Sequence, residues 1–276
     1  MHLRFLDDDV EFFANTGQSV GRYNFRNRFK PSLHPLKTPA GVVLTLSQPH
    51  DHLHHRGVMY ALSASDINFW EERQVRPNEK VGVQKHLDIT ETSAGPNRAG
   101  LEHRILWSCQ DGELDTFEEV RLLSCEEDEA GGLVWQWRTQ LLALRDLDLI
   151  QSHWSHETAG GRKINYHGLG IRFRRDFGPV FSGTQVFVNA EEVDFAEALG
   201  SKPAKTAIVG KLDGYSEPRR AGLAISQHQD HVLFACKEPF PLVCLGPSNG
   251  EPLSVSQGET LVSSYELCPF DGNDLP

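Results

Sequence analysis

Four histidines stand within six residues of the chain, in the segment Pro-His-Asp-His-Leu-His-His-Arg-Gly at residues 49–57. The chain has 276 residues and 13 histidines. An average window of that length would therefore hold only about 0.3 of a histidine. Imidazole titrates near neutral pH, so it can transfer protons in catalysis, and it is also a common ligand for transition metals. This concentration of imidazoles predicts a working site in the segment.

The spacing predicts which of these side chains lie together. If the segment is extended, His50, His52 and His54 project to one side, while Asp51 and His55 project to the other. The pair His52 and His54 then has the geometry of two metal ligands, and further ligands must come from elsewhere. The alternative is that the histidines only form hydrogen bonds in a surface turn, because a proline and a glycine bracket the segment.

Residues elsewhere could complete the site. Trp70 precedes Glu71, and an aromatic ring beside a carboxylate is a common arrangement for binding a pyranose. A buried core position is about as well supported for this tryptophan. Other polar groups fall where loops are expected to follow strands, and loops carry much of the function of proteins. The residues expected to contact a substrate are His34, Asp51, Arg56, Trp70, His167 and Arg172.

Three functions are consistent with these residue types. In the first, the four histidines of the segment transfer protons, Glu71 or Glu157 acts as a base, and Arg56 or Arg172 stabilises an oxyanion. Epimerisation, elimination and hydrolysis of a sugar or oxidised sugar all fit these roles. In the second, the histidines bind a divalent metal, giving a lyase, hydrolase or oxygenase. The third is a non-catalytic sugar-binding domain with an exposed aromatic platform.

The elements that must position these residues are β-strands. Short apolar or alternating runs recur between turn residues, and long stretches with helical period are missing, which predicts an all-β sandwich. The predicted strands are 10–14, 42–46, 58–62, 83–90, 101–108, 116–124, 133–142, 147–153, 170–174, 221–226, 232–236 and 260–267.

Three finer expectations follow from the same patterns. Side chains alternate across a strand, so Trp135 and Trp137 should share one face of strand 133–142. Only residues 188–199 suggest a helix, and residues 201–214 suggest a mobile loop. No repeat or linker divides the sequence, so a single domain over residues 1–276 with few short helices is expected.

Composition limits the partners and the compartment. The net charge of −11 argues against binding to nucleic acid or to an anionic membrane, both of which need a clustered positive field. We find no apolar run of transmembrane length and no signal peptide. The five cysteines include no C-x-x-C pair, so neither a disulfide framework nor a thiolate zinc site is suggested. These features predict a cytoplasmic protein.

The region 29–71 contains SLHPLKTPAGV, PHDHLHHRGVMYAL and NFWEE, and there the sequence resembles a bacterial family called methane oxygenase PmoA. Weaker similarity follows in GLGIRF and in QGETLVSSYEL, whereas PSNGEP at residues 247–252 replaces a segment rich in tryptophan and arginine in the commoner family members. The particulate methane enzyme's subunit is embedded in a membrane, so the resemblance is not extended to methane oxidation.

That family is similar to the galactose-mutarotase-type β-supersandwich, which aldose epimerases and sugar-cleaving enzymes use. The Gly258-Glu259 turn before an alternating strand is similar to the final strand of aldose epimerases. The resemblance therefore implies this fold and a small-molecule carbohydrate as the partner, but fold analogy does not give the reaction. A divalent metal remains the alternative cofactor.

Overall fold

The computed structural model describes residues 1–152, 154–178 and 183–276, and within them strands dominate. The helical segments there are a single turn of α-helix, α1 (Phe195–Ala198), and one 3-10 turn, Arg175–Phe177. The first strands are β1 (His2–Phe5), β2 (Asp9–Phe13), β3 (Ser19–Asn24), β4 (Ser32–Leu36), β5 (Val58–Ala61), β6 (Ser63–Ala64), β7 (Ile67–Asn68), β8 (Lys80–Ala94), β9 (Arg98–Cys109), β10 (Asp115–Glu127), β11 (Leu133–Ala143) and β12 (Leu147–Leu149). The later strands are β13 (His156–Glu157), β14 (Lys163–Ile164), β15 (Gly168–Arg172), β16 (Gln185–Val188), β17 (Glu191–Val193), β18 (Lys205–Leu212), β19 (Arg219–Gln227), β20 (Val232–Cys236), β21 (Leu242–Gly246), β22 (Leu253–Val255) and β23 (Thr260–Asp271).

In the described residues these strands form two large sheets and one small hairpin. The smaller of the large sheets has eight strands in the order β1-β2-β3-β4-β5-β15-β21-β20, and all its pairs are antiparallel. The larger has thirteen strands in the order β17-β16-β18-β19-β23-β11-β10-β9-β8-β7-β6-β12-β22, with β7 and β8 parallel. The hairpin pairs β13 with β14.

The hydrophobic core lies between the two large sheets. Strand β11 alternates buried and more exposed side chains, as expected for a strand with one face on the core, and it buries Trp135 and Trp137 completely. Rings from the two sheets touch across the core, with centroids 4.8 Å apart for Phe12 and Trp135. The predicted all-β sandwich and the shared face of the two tryptophans are confirmed.

A charged network is buried in the middle of this core. Arg121 donates from Nε and Nη2 to the two carboxylate oxygens of Glu119, at 2.7 and 2.9 Å, and the Trp107 indole donates to the same carboxylate at 2.7 Å. From the smaller sheet, the Tyr23 hydroxyl accepts from Arg121 at 3.1 Å and bonds the ring of His103 at 2.8 Å. Because buried charges are costly without partners, this network favours one alignment of the two sheets.

The structure corrects several predicted elements. Residues 42–46 form only isolated bridges, between Lys37 and Val43 and between Thr45 and Phe173. The predicted helix at 188–199 is wrong, because its first part belongs to the hairpin of β16 and β17 and only α1 is helical. The predicted loop 201–214 contains strand β18. The strand predicted at 147–153 ends at Leu149, and residue 153 lies outside the described residues.

None of the helices in the described part of the chain has the length and apolar character needed to span a membrane.

Candidate functional site

The histidine segment folds as two successive tight turns that lead into β5. The amide of His52 donates to the Pro49 carbonyl at 2.9 Å, and the amide of His55 donates to the His52 carbonyl at 3.0 Å. The loop ends at Gly57, whose φ is 73° and where a Cβ would lie 2.7 Å from the Leu33 carbonyl oxygen. A glycine is therefore required at this position. The expectation of an extended segment is wrong.

The turns bring together three of the four histidines, and not the three that an extended strand would group. The rings of His52 and His55 are stacked with centroids 4.9 Å apart, and the ring of His54 meets that of His55 edge-on at 4.5 Å. His50 is exposed, and its Nδ1 lies 3.3 Å from Nη2 of Arg175. We call His52, His54 and His55 the imidazole cluster.

Asp51 borders the cluster on its exposed side. Arg175 donates to Asp51 Oδ1 at 2.8 Å, and His52 Nδ1 lies 3.4 Å from Asp51 Oδ2. Burial raises the pKa of Asp51, but the hydrogen bonds from Arg175 and from its own backbone outweigh this effect and lower the pKa to about 2. Asp51 is therefore an ionised carboxylate that helps to orient the ring of His52.

Glu71 lies beside the cluster, as the sequence predicted. The side-chain oxygen of Asn68 accepts from the amides of Trp70 and Glu71, at 2.9 and 3.0 Å, and this turn directs the chain back after β7. Glu71 Oε2 consequently lies 3.3 Å from His54 Nδ1. Burial raises the pKa of the Glu71 carboxyl, and the nearby charge of Lys30 partly opposes that rise.

Trp70 forms the inner wall of the site and has no exposed ring face. Its side chain is 1% exposed, and its ring packs against Tyr166 at 5.3 Å and against His55 at 6.1 Å. The ring also approaches β15 so closely that a Cβ at Gly170 would lie 2.6 Å from it. The core interpretation of Trp70 is confirmed, and it cannot stack on a sugar in this conformation.

Lys30 is a member of the site that the sequence did not reveal. It is fully buried and donates to the carbonyl oxygens of His54, at 3.2 Å, and of Trp70. Its Nζ also lies 3.5 Å from Glu72 Oε1. Burial lowers the pKa of Lys30 to about 8, and the charge of Glu72 opposes that change. Lys30 thus joins the histidine loop to the turn that carries Glu71. A lysine before a proline normally indicates a surface position, so the sequence held no signal for this role.

Arg56 pairs with a carboxylate of the protein, so it does not offer hydrogen bonds to an anion at the cluster. Its Nε and Nη2 both bond the carboxylate of Glu72, with Nη2 2.6 Å from Oε2. This bidentate pair fixes the end of the histidine loop. The expected role of Arg56 at an oxyanion is corrected accordingly.

Arg172 closes the inner side of the cluster. It ends β15, next to the start of β5, and its side chain is fully buried. Its guanidinium carbon lies 4.7 Å from the ring centroid of Phe240, whose ring also packs on His52 at 4.2 Å and on His55 at 5.1 Å. Phe240 stands before β21, so the start of β5, the end of β15 and the start of β21 meet at one end of three neighbouring strands of the smaller sheet. Phe240 was not predicted, because only the pairing of the strands brings it into contact with the cluster.

Three other predicted residues lie outside the cluster in the described structure. His34 Nδ1 bonds the Thr45 hydroxyl at 2.9 Å. Glu157 is exposed on the hairpin of β13 and β14. His167 is fully buried, and the amide group of Asn165 lies 2.6 Å from its Nδ1. Burial lowers the pKa of His167 to about 3. Each has a local partner or faces solvent, so the expected direct roles of these three residues are not supported.

The pKa values of all three rings of the cluster are lowered, which favours their uncharged forms. Burial is the largest cause of a lowered pKa at all three rings. The charge of Lys30 adds to it at His54 and His55, and the charge of Arg172 adds to it at His52 and His55. The pKa of His54 falls to about 2, and that of His55 falls well below its usual value. Neutral imidazoles can each donate one hydrogen bond and accept another.

The expected metal ligands do not converge. Among the described residues, no three histidine, cysteine, aspartate or glutamate side chains are placed to hold one metal ion. Nδ1 of His52 faces Asp51 and Nδ1 of His54 faces Glu71, so these two atoms are directed at different carboxylates. This arrangement differs from the shared face that the H-x-H spacing suggested.

Comparisons with known proteins identify the family but not a reaction. Residues 13–275 match the model of a family of unknown function, DUF6807. The chain has no match among curated proteins.

Three solved structures are similar over nearly the whole chain. Galactose 1-epimerase from Lactobacillus acidophilus NCFM is 9% identical over 96% of this chain and 98% of its own, with a TM-score of 0.41. A galactose mutarotase related enzyme from Lactobacillus acidophilus is 5% identical over 97% and 96%, with a TM-score of 0.37. A GalM/aldose epimerase homologue from C. elegans is 8% identical over 96% of both chains, with a TM-score of 0.34.

Proposed function

We propose that this chain, which belongs to the family of unknown function DUF6807, is an enzyme that performs acid/base chemistry on a small-molecule carbohydrate. The single observation that carries the proposal is the buried contact of 3.3 Å between Glu71 and His54 at the edge of the imidazole cluster. Burial raises the pKa of the Glu71 carboxyl, so this group is better suited to accept and release a proton than a solvated carboxyl is. Glu71 is therefore the proton-transferring group.

The histidines have a different part in this proposal from the one that the sequence suggested. A ring whose pKa is about 2, as for His54, is too weak a base to carry protons efficiently at neutral pH. As a neutral imidazole it can instead donate and accept hydrogen bonds with sugar hydroxyls, which also do both. The imidazole cluster orients the substrate while Glu71 moves the proton.

The alternatives receive less support from the same geometry. A non-catalytic sugar-binding domain should offer an aromatic platform, but the tryptophan beside the cluster is buried. Metal dependence is retained as an outcome of the experiment. Epimerisation, elimination and hydrolysis all remain open, because each needs a positioned acid or base, although the proton is transferred to or from a different substrate atom in each. We place the enzyme in the cytoplasm, where its five free cysteines would stay reduced.

Solvent-exchange NMR tests the proposal for all three reaction types in one experiment. The protein is incubated in D₂O with a panel of aldoses, uronates and aldonates, and the spectra are monitored for anomer exchange, deuterium at carbon, elimination and cleavage. Glu71→Gln should lower any rate found by about 10²–10⁴-fold, because the amide cannot exchange the proton. His50→Gln is the matched control, since His50 lies in the same loop but outside the cluster. A Glu71→Gln variant as active as the parent would refute the assignment.

A double variant tests the cluster and separates the metal alternative. His52→Ala with His54→Ala should abolish activity and leave the fold intact, because a loop contributes little to the core. Metal content is measured in the parent and in the double variant. Activity in a parent protein without bound metal supports the acid/base proposal. Loss of a stoichiometric metal together with activity supports a metal enzyme instead.

A further inference from the structure

Arg172 differs from the other two buried arginines of the described chain in one respect. Arg56 and Arg121 each present the edge formed by Nε and Nη2 to both oxygens of one carboxylate, that of Glu72 and that of Glu119 respectively. At Arg172 the same two nitrogens are buried and have no hydrogen-bond partner. Among the buried arginines of the described residues, two thus have this donor edge occupied by a protein carboxylate, and Arg172 does not.

The contacts that Arg172 does make cannot replace a carboxylate. Nη1 donates to the Pro241 carbonyl at 3.4 Å, which is a long hydrogen bond, and the guanidinium lies under the ring of Phe240. A buried guanidinium with unmet donors is costly, and such groups persist where a function requires them. Nδ1 of the buried His55 also has no partner, and the His55 ring packs on the same Phe240 ring as Arg172 does.

We infer that the Nε and Nη2 edge of Arg172, with Nδ1 of His55, is a binding subsite for a carboxylate of the substrate. The inference rests on the proposed function and narrows its substrate class to acidic sugars. A planar carboxylate matches two parallel N–H donors, as the two protein carboxylates on Arg56 and Arg121 illustrate. Glu71 would then act on a sugar held by its acid group on the opposite side of the cluster.

Phe240 covers this subsite. Its half-buried ring lies on the guanidinium of Arg172 and against the rings of His52 and His55. The donor nitrogens are buried in this structure, so a neighbouring side chain must move before a ligand carboxylate can reach them, and Phe240 is the ring that packs on both Arg172 and His55. Phe240 therefore competes with the ligand, and its removal should strengthen binding.

Titration calorimetry with four probes tests the subsite: D-glucuronate, D-glucose, D-glucose 6-phosphate and acetate. The parent should bind glucuronate about 10–100-fold more tightly than glucose, which corresponds to the net gain of about one charge-assisted hydrogen bond after the carboxylate has been desolvated. Arg172→Lys keeps the charge but loses the donor edge, so it should remove most of this preference. Arg145→Lys is the matched control, because Nε and Nη2 of the half-buried Arg145 also lack partners but belong to the turn between β11 and β12.

The outcomes separate this inference from the proposed function. Binding is measured without turnover, so Glu71→Gln should bind glucuronate as the parent does even when activity is lost. If Glu71→Gln is active while Arg172→Lys binds glucuronate weakly, the role of Glu71 in proton transfer is refuted and the carboxylate subsite is not. Equal binding of glucuronate and glucose overturns the inference, as does a Kd for Arg172→Lys equal to that of the parent. Tighter binding of the phosphate than of the carboxylate overturns the acid-sugar assignment.

Phe240→Ala provides an independent test should Arg172→Lys fail to fold. This variant leaves every donor in place and should bind glucuronate and acetate several-fold more tightly than the parent. Unchanged or weaker binding of both probes overturns the inference.

Discussion

Acid should destabilise this protein through its buried histidines before its carboxylates titrate. Burial is the largest cause of the low pKa values of His54 and His103, each about 2, and of His167, about 3. Their usual value is 6.5, so below that pH the unfolded chain binds protons that the folded chain does not. The free energy of unfolding therefore falls as the pH drops through this window, and the full stabilisation is present only above it.

The loss of stability depends on how far the pH lies below the unfolded pKa of the histidines. Each pH unit below the unfolded pKa favours unfolding by about 1.4 kcal/mol per histidine, so about pH 5 corresponds to about 2 kcal/mol for each ring. The three rings together then contribute about 6 kcal/mol, which is comparable with the whole stability of many domains, about 5–15 kcal/mol.

Urea unfolding between about pH 7 and pH 5 measures this effect. The slope of the unfolding free energy against pH should reach an uptake of at least three protons, because burial also lowers the pKa values of His55 and His231. His167→Gln should reduce the slope by about one proton. A slope below one proton, or one that the His167 variant does not alter, would refute the reasoning.

Further predictions concern the core and the base of the site. Trp135→Ala should lower the free energy of unfolding by about 3–5 kcal/mol through lost burial and a cavity, and a near-neutral result in urea unfolding would show that β11 is not core. Gly170→Ala should cost about 1–3 kcal/mol, because its methyl group would overlap the ring of Trp70, and an unchanged melting temperature would contradict the packing. Lys30→Met should lower the free energy of unfolding by about 1–3 kcal/mol, because it leaves two carbonyl groups unpaired, while Glu72 keeps its arginine partner. Urea unfolding checks the value, and a stabilised variant would contradict it.

The fold could be predicted where one face of a strand meets solvent. Strand β11 was predicted almost to the residue, because burial on one side imposes an alternation that the sequence shows. Strand β18 was missed because it is buried over most of its length and contains a glycine, so no alternation marks it. Residues 42–46 do alternate, but their backbone makes only isolated bridges. Alternation therefore reports burial and does not report strand pairing.

The site was predictable in composition but not in arrangement. The density of histidines located the loop, and Glu71 was correctly expected beside it. The assumption of an extended backbone grouped the wrong rings, because two backbone hydrogen bonds curl the segment into turns. Lys30 and Phe240 reach the site through tertiary packing, which no local pattern records. Glu157 was proposed as an alternative base, and its hairpin directs it to solvent.

The buried network of Glu119, Arg121 and Tyr23 also has a mechanical consequence for the site. His54 precedes β5 of the smaller sheet, whereas Glu71 follows β7 of the larger one, so the contact between them bridges the two layers. A small sliding of one layer over the other would separate these two side chains. The network resists such shear, because sliding would pull a buried charge away from its partners. The distance between His54 and Glu71 therefore depends on how firmly the buried network holds the two sheets in place.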